Sequence, residues 1–174
     1  MPIFEFEGRV PKLSESCYIF ENATIIGRVT IGESVWVGPG AVIRGDYGEI
    51  IIGNGTAVED NCVIHARPGE RTIIGENVTL GHSCVIHTAQ ISDYAVIGMK
   101  SVVTDFTKVG KWAVVAEGSV VKKGQTVNED TIVGGVPAKE ITRVNDDFKS
   151  QWTDYKKNYQ SFCVRYKNNL KEKK

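Results

Sequence analysis

Branched aliphatic residues return every six residues through most of this chain. The series begins at Ile25, Ile31, Val37 and Ile43, resumes at Ile52, Val58 and Ile64, resumes again at Ile74, Leu80 and Ile86, and continues from Ile91 to Val127. A period of six fits neither an amphipathic helix nor one alternating strand. It is typical of short β-segments separated by corners, three of which make one triangular coil with the aliphatic residues inside.

The main alternative for so much Val and Ile is an antiparallel β-sandwich, but a sandwich would not keep a six-residue phase over about a hundred residues. The Ile-Gly hexapeptide pattern resembles that of the bacterial hexapeptide-repeat proteins. This resemblance implies that the coil is a left-handed parallel β-helix and that the chain forms trimers.

The chain changes character after the segment Gly134 to Lys139 and becomes charged and aromatic. From Asn145 the apolar residues follow the spacing of one helical stripe: Phe148, Trp152, Tyr155, Tyr159, Phe162, Tyr166 and Leu170. The sequence therefore predicts a β-helix domain over residues 1–144 and an amphipathic helix over residues 145–174, packed on the outside of the coil.

Composition narrows the possible partners and the location. Lys and Arg total 21, as do Asp and Glu, so no global field attracts nucleic acid or an anionic membrane. The N-terminus lacks the features of a signal peptide, and no apolar run is long enough to span a membrane. The four cysteines are far apart and form no CxxC pair, which favours reduced thiols. We expect a cytoplasmic protein that binds neither nucleic acid nor membrane.

The three histidines of the chain fall within one short segment and mark the candidate site. The sequence ending in Ile64-His65 repeats 22 positions later as the sequence ending in Ile86-His87, which is one coil plus a four-residue turn. His65 and His87 should therefore stack at the strand spacing of roughly 4.8 Å. Two stacked imidazoles can share one metal ion.

His82 lies around a corner from the other two histidines, so within one chain it should point away from them. In a threefold assembly, the corner that carries His82 can face the stacked pair of the next subunit, which gives three metal sites per trimer. The same register places Arg44 beneath His65 and Asp60 beneath His82. Two other readings stay open: the histidines are unconnected surface residues, or His82 or His87 is the lone base of an acyltransferase.

A wider set of motifs resembles the γ-class carbonic anhydrase-like family, in particular its branch of PaaY-like and CaiE-like proteins: Ile43-Arg44-Gly45-Asp46, Glu59 to His65, Gly81-His82, Ile86-His87, Ile97-Gly98-Met99 and Gly135 to Lys139. The resemblance implies that His65 and His87 of one subunit, with His82 of the next, bind zinc, or else iron or cobalt. It also implies an ion-pair network of Arg44, Asp46 and Asp60 across the interface.

Two departures from the family pattern affect the predicted activity. Ala57 and Glu59 stand where the family typically has Asn and Gln, and an ionised Glu cannot donate a hydrogen bond to bicarbonate. The segment Tyr47-Gly48-Glu49 is short and lacks the acidic loop credited with carrying protons out of the site. Glu59 could instead orient the bound water or accept its proton.

The leading functional hypothesis is a zinc-dependent lyase of the carbonate dehydratase type, which hydrates carbon dioxide to bicarbonate through a metal-bound hydroxide. Three alternatives accompany it: a PaaY-like acyl-CoA thioesterase, a hexapeptide acyltransferase, and a metal-stabilised trimeric protein without turnover.

Overall fold

A computed structural model describes residues 2–173. Each coil consists of three short strands joined at corners, as the six-residue period predicts. About seven such turns and one C-terminal helix form the chain. The predicted parallel β-helix is therefore confirmed. The elements in chain order are β1 (Ile3–Phe4), β2 (Lys12–Leu13), β3 (Tyr18–Ile19), β4 (Thr24–Ile31), β5 (Trp36–Val37), β6 (Val42–Ile52), β7 (Ala57–Val58), β8 (Val63–His65), β9 (Arg71–Ile74), β10 (Thr79–Leu80), β11 (Val85–His87), β12 (Gln90–Ile91), β13 (Val96–Ile97), β14 (Val102–Val103), β15 (Lys108–Val109), β16 (Val114–Val115), β17 (Val120–Val121), β18 (Thr126–Val127), β19 (Thr131–Gly134), β20 (Lys139–Arg143) and α1 (Asp146–Asn169).

The strands stack in register into three faces. The first face contains the start of β4 and of β6 and then β8, β11, β14 and β17. The second contains the ends of β4 and β6 and then β9, β12, β15 and β18, because β4 and β6 each continue around the corner between these faces. The third runs from β3 through β5, β7, β10, β13 and β16 to β19, where antiparallel β20 closes its edge.

The predicted aliphatic layers form the core. Ile43, Ile64 and Ile86 pair in register on the first face, and none of them is exposed to solvent. Equivalent residues of the other two faces meet them inside the coil. The parallel strands thus contribute inward-facing aliphatic residues, whereas antiparallel β20 is exposed along its length. The burial of these layers is the main stabilising interaction of the coil.

The three faces differ in the side chains that they turn outward. On the first face the outward positions are Val42, Val63, Val85, Val102 and Val120, which we call the valine row. On the second face they are mixed and include Gln90, Lys108 and Thr126. The third face is covered by α1. The valine row is therefore an apolar row that α1 does not cover.

The C-terminal helix begins where the sequence signals it. The side chain of Asn145 accepts a hydrogen bond from the backbone N–H of Phe148, and Asp146 and Asp147 occupy the first turn, where carboxylates favour a helix. Trp36 of the third face then packs against the helix, with its ring centroid 5.2 Å from that of Tyr159.

The predicted helix stripe is wrong at two positions. Tyr155 and Leu170 are 55% and 52% exposed. Lys156 and Cys163 are buried in the contact instead. A stripe chosen by apolar character alone includes Tyr155. The helix is rotated so that the neighbouring residue Lys156, and not Tyr155, faces the coil.

Lys156 is a buried amine that has no carboxylate in hydrogen-bond contact within residues 2–173. Its side chain lies between Trp112 and Trp152, and its ammonium donates to the hydroxyl of Thr79 at 2.9 Å. Burial lowers the pKa of Lys156 to about 7, against a smaller opposing effect of the Glu59 charge. An unfolded lysine has a pKa near 10.4. Between these values the unfolded chain binds one more proton than the folded chain.

The folding stability should therefore rise with pH between about 7 and 10.5, by about 2–4 kcal/mol from this group alone. Replacement of Lys156 by Met should remove this rise, while replacement of the exposed neighbour Lys157 by Met should keep it. Urea unfolding of the three proteins at pH 7 and pH 10 measures the difference. An equal pH dependence in wild type and Lys156→Met would contradict the prediction.

Candidate active site

His65 and His87 form a stacked pair at the corner where the first face ends. Their backbones are paired in register on β8 and β11. Nδ1 of His65 lies 3.2 Å from Nε2 of His87, and the ring centroids are 5.2 Å apart. Two strands of an aligned repeat therefore bring two imidazole nitrogens face to face.

Each imidazole uses its other nitrogen to contact a carboxylate. Nε2 of His65 lies 3.0 Å from Asp46, and Nδ1 of His87 lies 2.5 Å from Asp105. An ionised carboxylate only accepts hydrogen bonds, so in the neutral form of each ring the proton lies on the nitrogen that faces the carboxylate. In that form the two nitrogens that face each other carry lone pairs.

An arginine holds each of these carboxylates. Arg44 donates to Asp46 at 2.6 Å, and Arg67 contacts Asp105 through Nε at 2.8 Å and Nη2 at 2.6 Å. Burial alone would raise the pKa of Asp46, but the hydrogen bonds from Arg44 and His65 outweigh it and the pKa is lowered. The bonds from Arg67 and then His87 lower the pKa of Asp105 to about 2. Both carboxylates are ionised at neutral pH.

The protonation of His65 is set by its surroundings. Burial lowers the pKa of His65, and the nearby charge of Arg44 adds to this effect, although the bond to Asp46 opposes both. The ring is therefore neutral at neutral pH, as a metal ligand must be.

This pair fits two ligands of one metal ion. Two ring nitrogens bound to zinc at 2.0–2.1 Å with a tetrahedral angle lie about 3.3–3.4 Å apart, close to the 3.2 Å between the facing nitrogens. The carboxylates behind the rings match the outer partners that orient zinc-bound histidines. Two lone pairs at this distance repel each other unless a cation lies between them, so the chemistry of the donor set also fits a metal.

His82 lies at the other edge of the first face and makes different contacts. Its Nε2 is 3.0 Å from Glu59 and its Nδ1 is 3.1 Å from Asp60. Glu59 also accepts the backbone N–H of His82 at 3.1 Å. In the chain, His82 lies just before β11 and His87 is the last residue of β11. The two histidines thus lie at opposite edges of the first face.

The predicted site residues divide into two groups within one chain. Arg44 and Asp46 join His65 and His87, with Arg44 in register with His65 as predicted. Glu59 and Asp60 join His82. Among residues 2–173 no three His, Cys, Asp or Glu residues of a single chain are grouped as a metal site. The stacked pair thus supplies two of the three predicted ligands.

The sequence interpretation missed Asp105 and Arg67. The signal was present, because the register that pairs Ile86 with Val103 brings Asp105 to the corner next to His87. Arg67 belongs to the turn that separates the two repeated segments, which the six-residue pattern does not describe.

The remaining global prediction concerns the membrane. Within the range that the structure covers, no helix has the length and apolar character needed to cross a bilayer.

Comparisons with known proteins agree with this architecture. Residues 46–150 match the family model of the GMPPB C-terminal domain. The carnitine operon protein CaiE of Shigella flexneri is 34% identical over 147 residues, which cover 84% of this chain and 75% of CaiE. Stacked hexapeptide coils with a C-terminal helix define the class of hexapeptide-repeat proteins, and the chain belongs to its CaiE-like family.

Two crystal structures resemble the chain along nearly its whole length. A putative acetyltransferase of Bacillus cereus is 31% identical, with a TM-score of 0.93 and coverage of 97% of this chain and 98% of that one. A hexapeptide transferase family protein of Anaplasma phagocytophilum is 32% identical, with a TM-score of 0.91 and coverage of 95% and 98%. The chain is thus related both to CaiE and to proteins described as transferases.

The carboxylate of Asp105 should stabilise the fold in a pH-dependent way. Because the folded pKa of about 2 is below the usual value, the stabilisation is complete above about pH 4 and is lost as the pH falls to 2. Asp105→Asn should cost about 1–2 kcal/mol at pH 7 and almost nothing near pH 2. Urea titrations across this range measure it, with Asp154→Asn on the exposed helix surface as a control. A cost that stays constant with pH would disprove the assignment.

Proposed function

We propose that this chain is a metal-dependent enzyme of the carbonic anhydrase type, which hydrates carbon dioxide to bicarbonate. In this proposal it acts as a homotrimer, and each interface holds one zinc, iron or cobalt ion. His65 and His87 of one subunit bind the ion together with His82 of the partner subunit. The proposal is carried by the two facing lone pairs of His65 and His87, 3.2 Å apart.

The chemistry would divide between the ion and the protein. An ion held by His65, His87 and the partner subunit's His82, with one open position, would supply Lewis-acid activation of water for attack on carbon dioxide. Asp46 and Asp105 hold the protons of the His65 and His87 rings on the nitrogens that face away from the pair. Arg44 and Arg67 keep those carboxylates ionised and in place.

The valine row supports the proposed assembly. Val63, the second of its five residues, is 40% exposed, and the row runs along the first face between the edge with His82 and the edge with His65 and His87. An apolar face of this kind favours a protein interface. Because the two halves of the site lie on opposite edges of one face, a contact between them is head-to-tail, and such a contact forms a ring when the rotation between subunits closes. The number of three is the one that the resemblance to hexapeptide-repeat proteins implies.

We propose that Glu59 positions His82, whereas the sequence led us to expect that it orients the metal-bound water or accepts its proton. One carboxylate oxygen of Glu59 is already engaged by both the ring and the backbone N–H of His82. We therefore assign Glu59 as a positioning residue that orients His82 toward the partner subunit. Asp60 contacts the other ring nitrogen, so binding of the ion by His82 requires that one of these two carboxylates releases its ring nitrogen.

A second candidate is an acyltransferase that uses acyl-CoA, and two findings favour it. His87 and Asp105 are 2.5 Å apart, the geometry of a general base held by a carboxylate. The similar Bacillus cereus protein is described as a putative acetyltransferase. The acyltransferase needs no metal. The PaaY-like thioesterase, which hydrolyses an acyl-CoA thioester, would instead use the same metal site as carbon dioxide hydration.

Metal content separates these candidates. Protein purified without added zinc should contain about one metal ion per subunit. His82→Ala should lose most of it, because one of three ligands is gone, while Ser83→Ala at the same corner should keep it. Elemental analysis measures the metal, and stopped-flow hydration of carbon dioxide and acyl-CoA hydrolysis measure activity before and after removal of the metal with a chelator.

The metal-dependent proposal fails if the wild-type protein contains no metal and takes none up from added zinc, iron or cobalt. Acyl transfer that persists after complete metal removal would favour the acyltransferase. A full metal content with neither activity would favour a metal-stabilised trimer without turnover.

The valine row predicts the oligomeric state directly. Val63→Asp should convert the trimer into a monomer, since a carboxylate within an apolar interface is costly to bury. Gln90→Asp, at an outward position of the second face, is the matched control and should remain trimeric. Sedimentation or light scattering gives the mass. A wild-type monomer, or a Val63→Asp trimer, would refute the interface.

A further inference from the structure

The middle of β6, where the strand turns from the first face to the second, lies outside the register of the coil. Arg44 of β6 still pairs with His65 of β8, and pairing with β9 begins only at Glu49. On the side of β4 the register likewise breaks after Gly45. Within residues 2–173, Asp46 therefore has no residue in register with it on the neighbouring strands. The aliphatic layers alone do not fix the position of Asp46, although its carboxylate contacts His65.

The backbone carbonyl of Asp46 accepts a hydrogen bond from the guanidinium of Arg9, which precedes it by 37 positions. A backbone carbonyl that is outside the strand ladder and partly buried needs such a donor. The carboxylate of Asp46 is contacted by Arg44 at 2.6 Å, His65 at 3.0 Å and the backbone N–H of Tyr47 at 2.9 Å. Arg9 thus holds the main chain of the residue whose side chain holds His65.

A tight hairpin between β1 and β2 directs Arg9 toward this carbonyl. Backbone hydrogen bonds join Phe6 and Arg9 in both directions, at 3.1 and 3.0 Å, so Glu7 and Gly8 form a two-residue turn. Their φ angles of 50° and 78° are both positive, as tight hairpin turns of this kind require. The guanidinium also contacts the Glu7 carboxylate at 3.2 Å and lies 6.0 Å from the ring centroid of Phe6. The hairpin itself therefore holds the side chain of Arg9 in place.

We propose that Arg9 is a positioning residue for the histidine pair. By fixing the main chain of Asp46, it keeps the Asp46 carboxylate on Nε2 of His65 and leaves Nδ1 of His65 free to bind the ion. This inference rests on the proposed function, since the ion is the one assigned to His65, His87 and the partner subunit's His82. Loss of a group that orients a metal-bound histidine typically weakens metal binding 10- to 100-fold. Arg9 acts one contact further away, so we expect a loss of about 3- to 10-fold.

Nuclear magnetic resonance of the metal-free full-length protein tests the positioning step by itself. At pH 8, above the ordinary histidine pKa of about 6.5, the ring nitrogen shifts of His65 should show the proton on Nε2 in the wild type. Arg9→Met removes the donor to Asp46 and should give a mixture of both tautomers, because the carboxylate no longer selects one nitrogen. Arg9→Lys keeps an N–H donor and should restore the wild-type pattern.

Competition with a chelator of known zinc affinity measures the consequence for the ion. Arg9→Met should bind zinc about 3- to 10-fold more weakly than the wild type, and Arg9→Lys should recover most of the loss. Arg28→Met is the matched control, because Arg28 is an exposed arginine that lines the same small cleft as Arg9 and Tyr47. It should equal the wild type in both measurements.

The two measurements separate the role of Arg9 from the proposed function. A wild-type protein that takes up no zinc refutes the metal-dependent function, and the tautomers of His65 in the metal-free protein then decide the role of Arg9. An unchanged His65 tautomer in Arg9→Met would overturn the positioning role, as would equal zinc affinity of Arg9→Met and the wild type. An equal change in Arg28→Met would also overturn it, because any nearby positive charge would then have the same effect.

Discussion

The register between successive coils is the constraint on which the candidate site depends. Parallel pairing fixes Ile64 against Ile86, and the residue after each is then a histidine at the same corner. A shift by one residue would turn the aliphatic layer outward and separate the rings. The free energy that holds the histidines together is therefore mainly that of the buried aliphatic core, which keeps each strand in place regardless of the metal.

The same constraint explains why the site is divided. A histidine pair can stack only on strands of one face, and a third ligand from the same face would belong to the same row. His82 comes from the opposite edge, where Glu59 and Asp60 hold it. A ring of identical subunits joins the two edges without any change in the fold of one chain. The half-buried helix residue Tyr159 lies near Glu59, and its pKa is raised first by burial and then by Glu59.

The sequence predicted what the six-residue period controls. It predicted the coil, the inward aliphatic residues, the stacking of His65 on His87 and the start of the helix after Asn145. The sequence-based prediction failed for residues whose contacts do not follow the six-residue period. Lys156 is buried because of the rotation of the helix on the third face, and Asp105 reaches His87 across a corner. The assembly, the metal and the substrate remain proposals, because they depend on groups beyond one chain.

Subunit complementation tests the shared site most directly. His82→Ala subunits retain an intact pair, and His87→Ala subunits retain an intact His82, so neither variant alone should bind metal tightly. When the two are unfolded together in equal amounts and refolded, random mixing should restore about a quarter of the sites, since each half is intact with a probability of about one half. Recovery of metal near this fraction supports an interfacial site. No recovery on mixing, or full metal content in either variant alone, would contradict it.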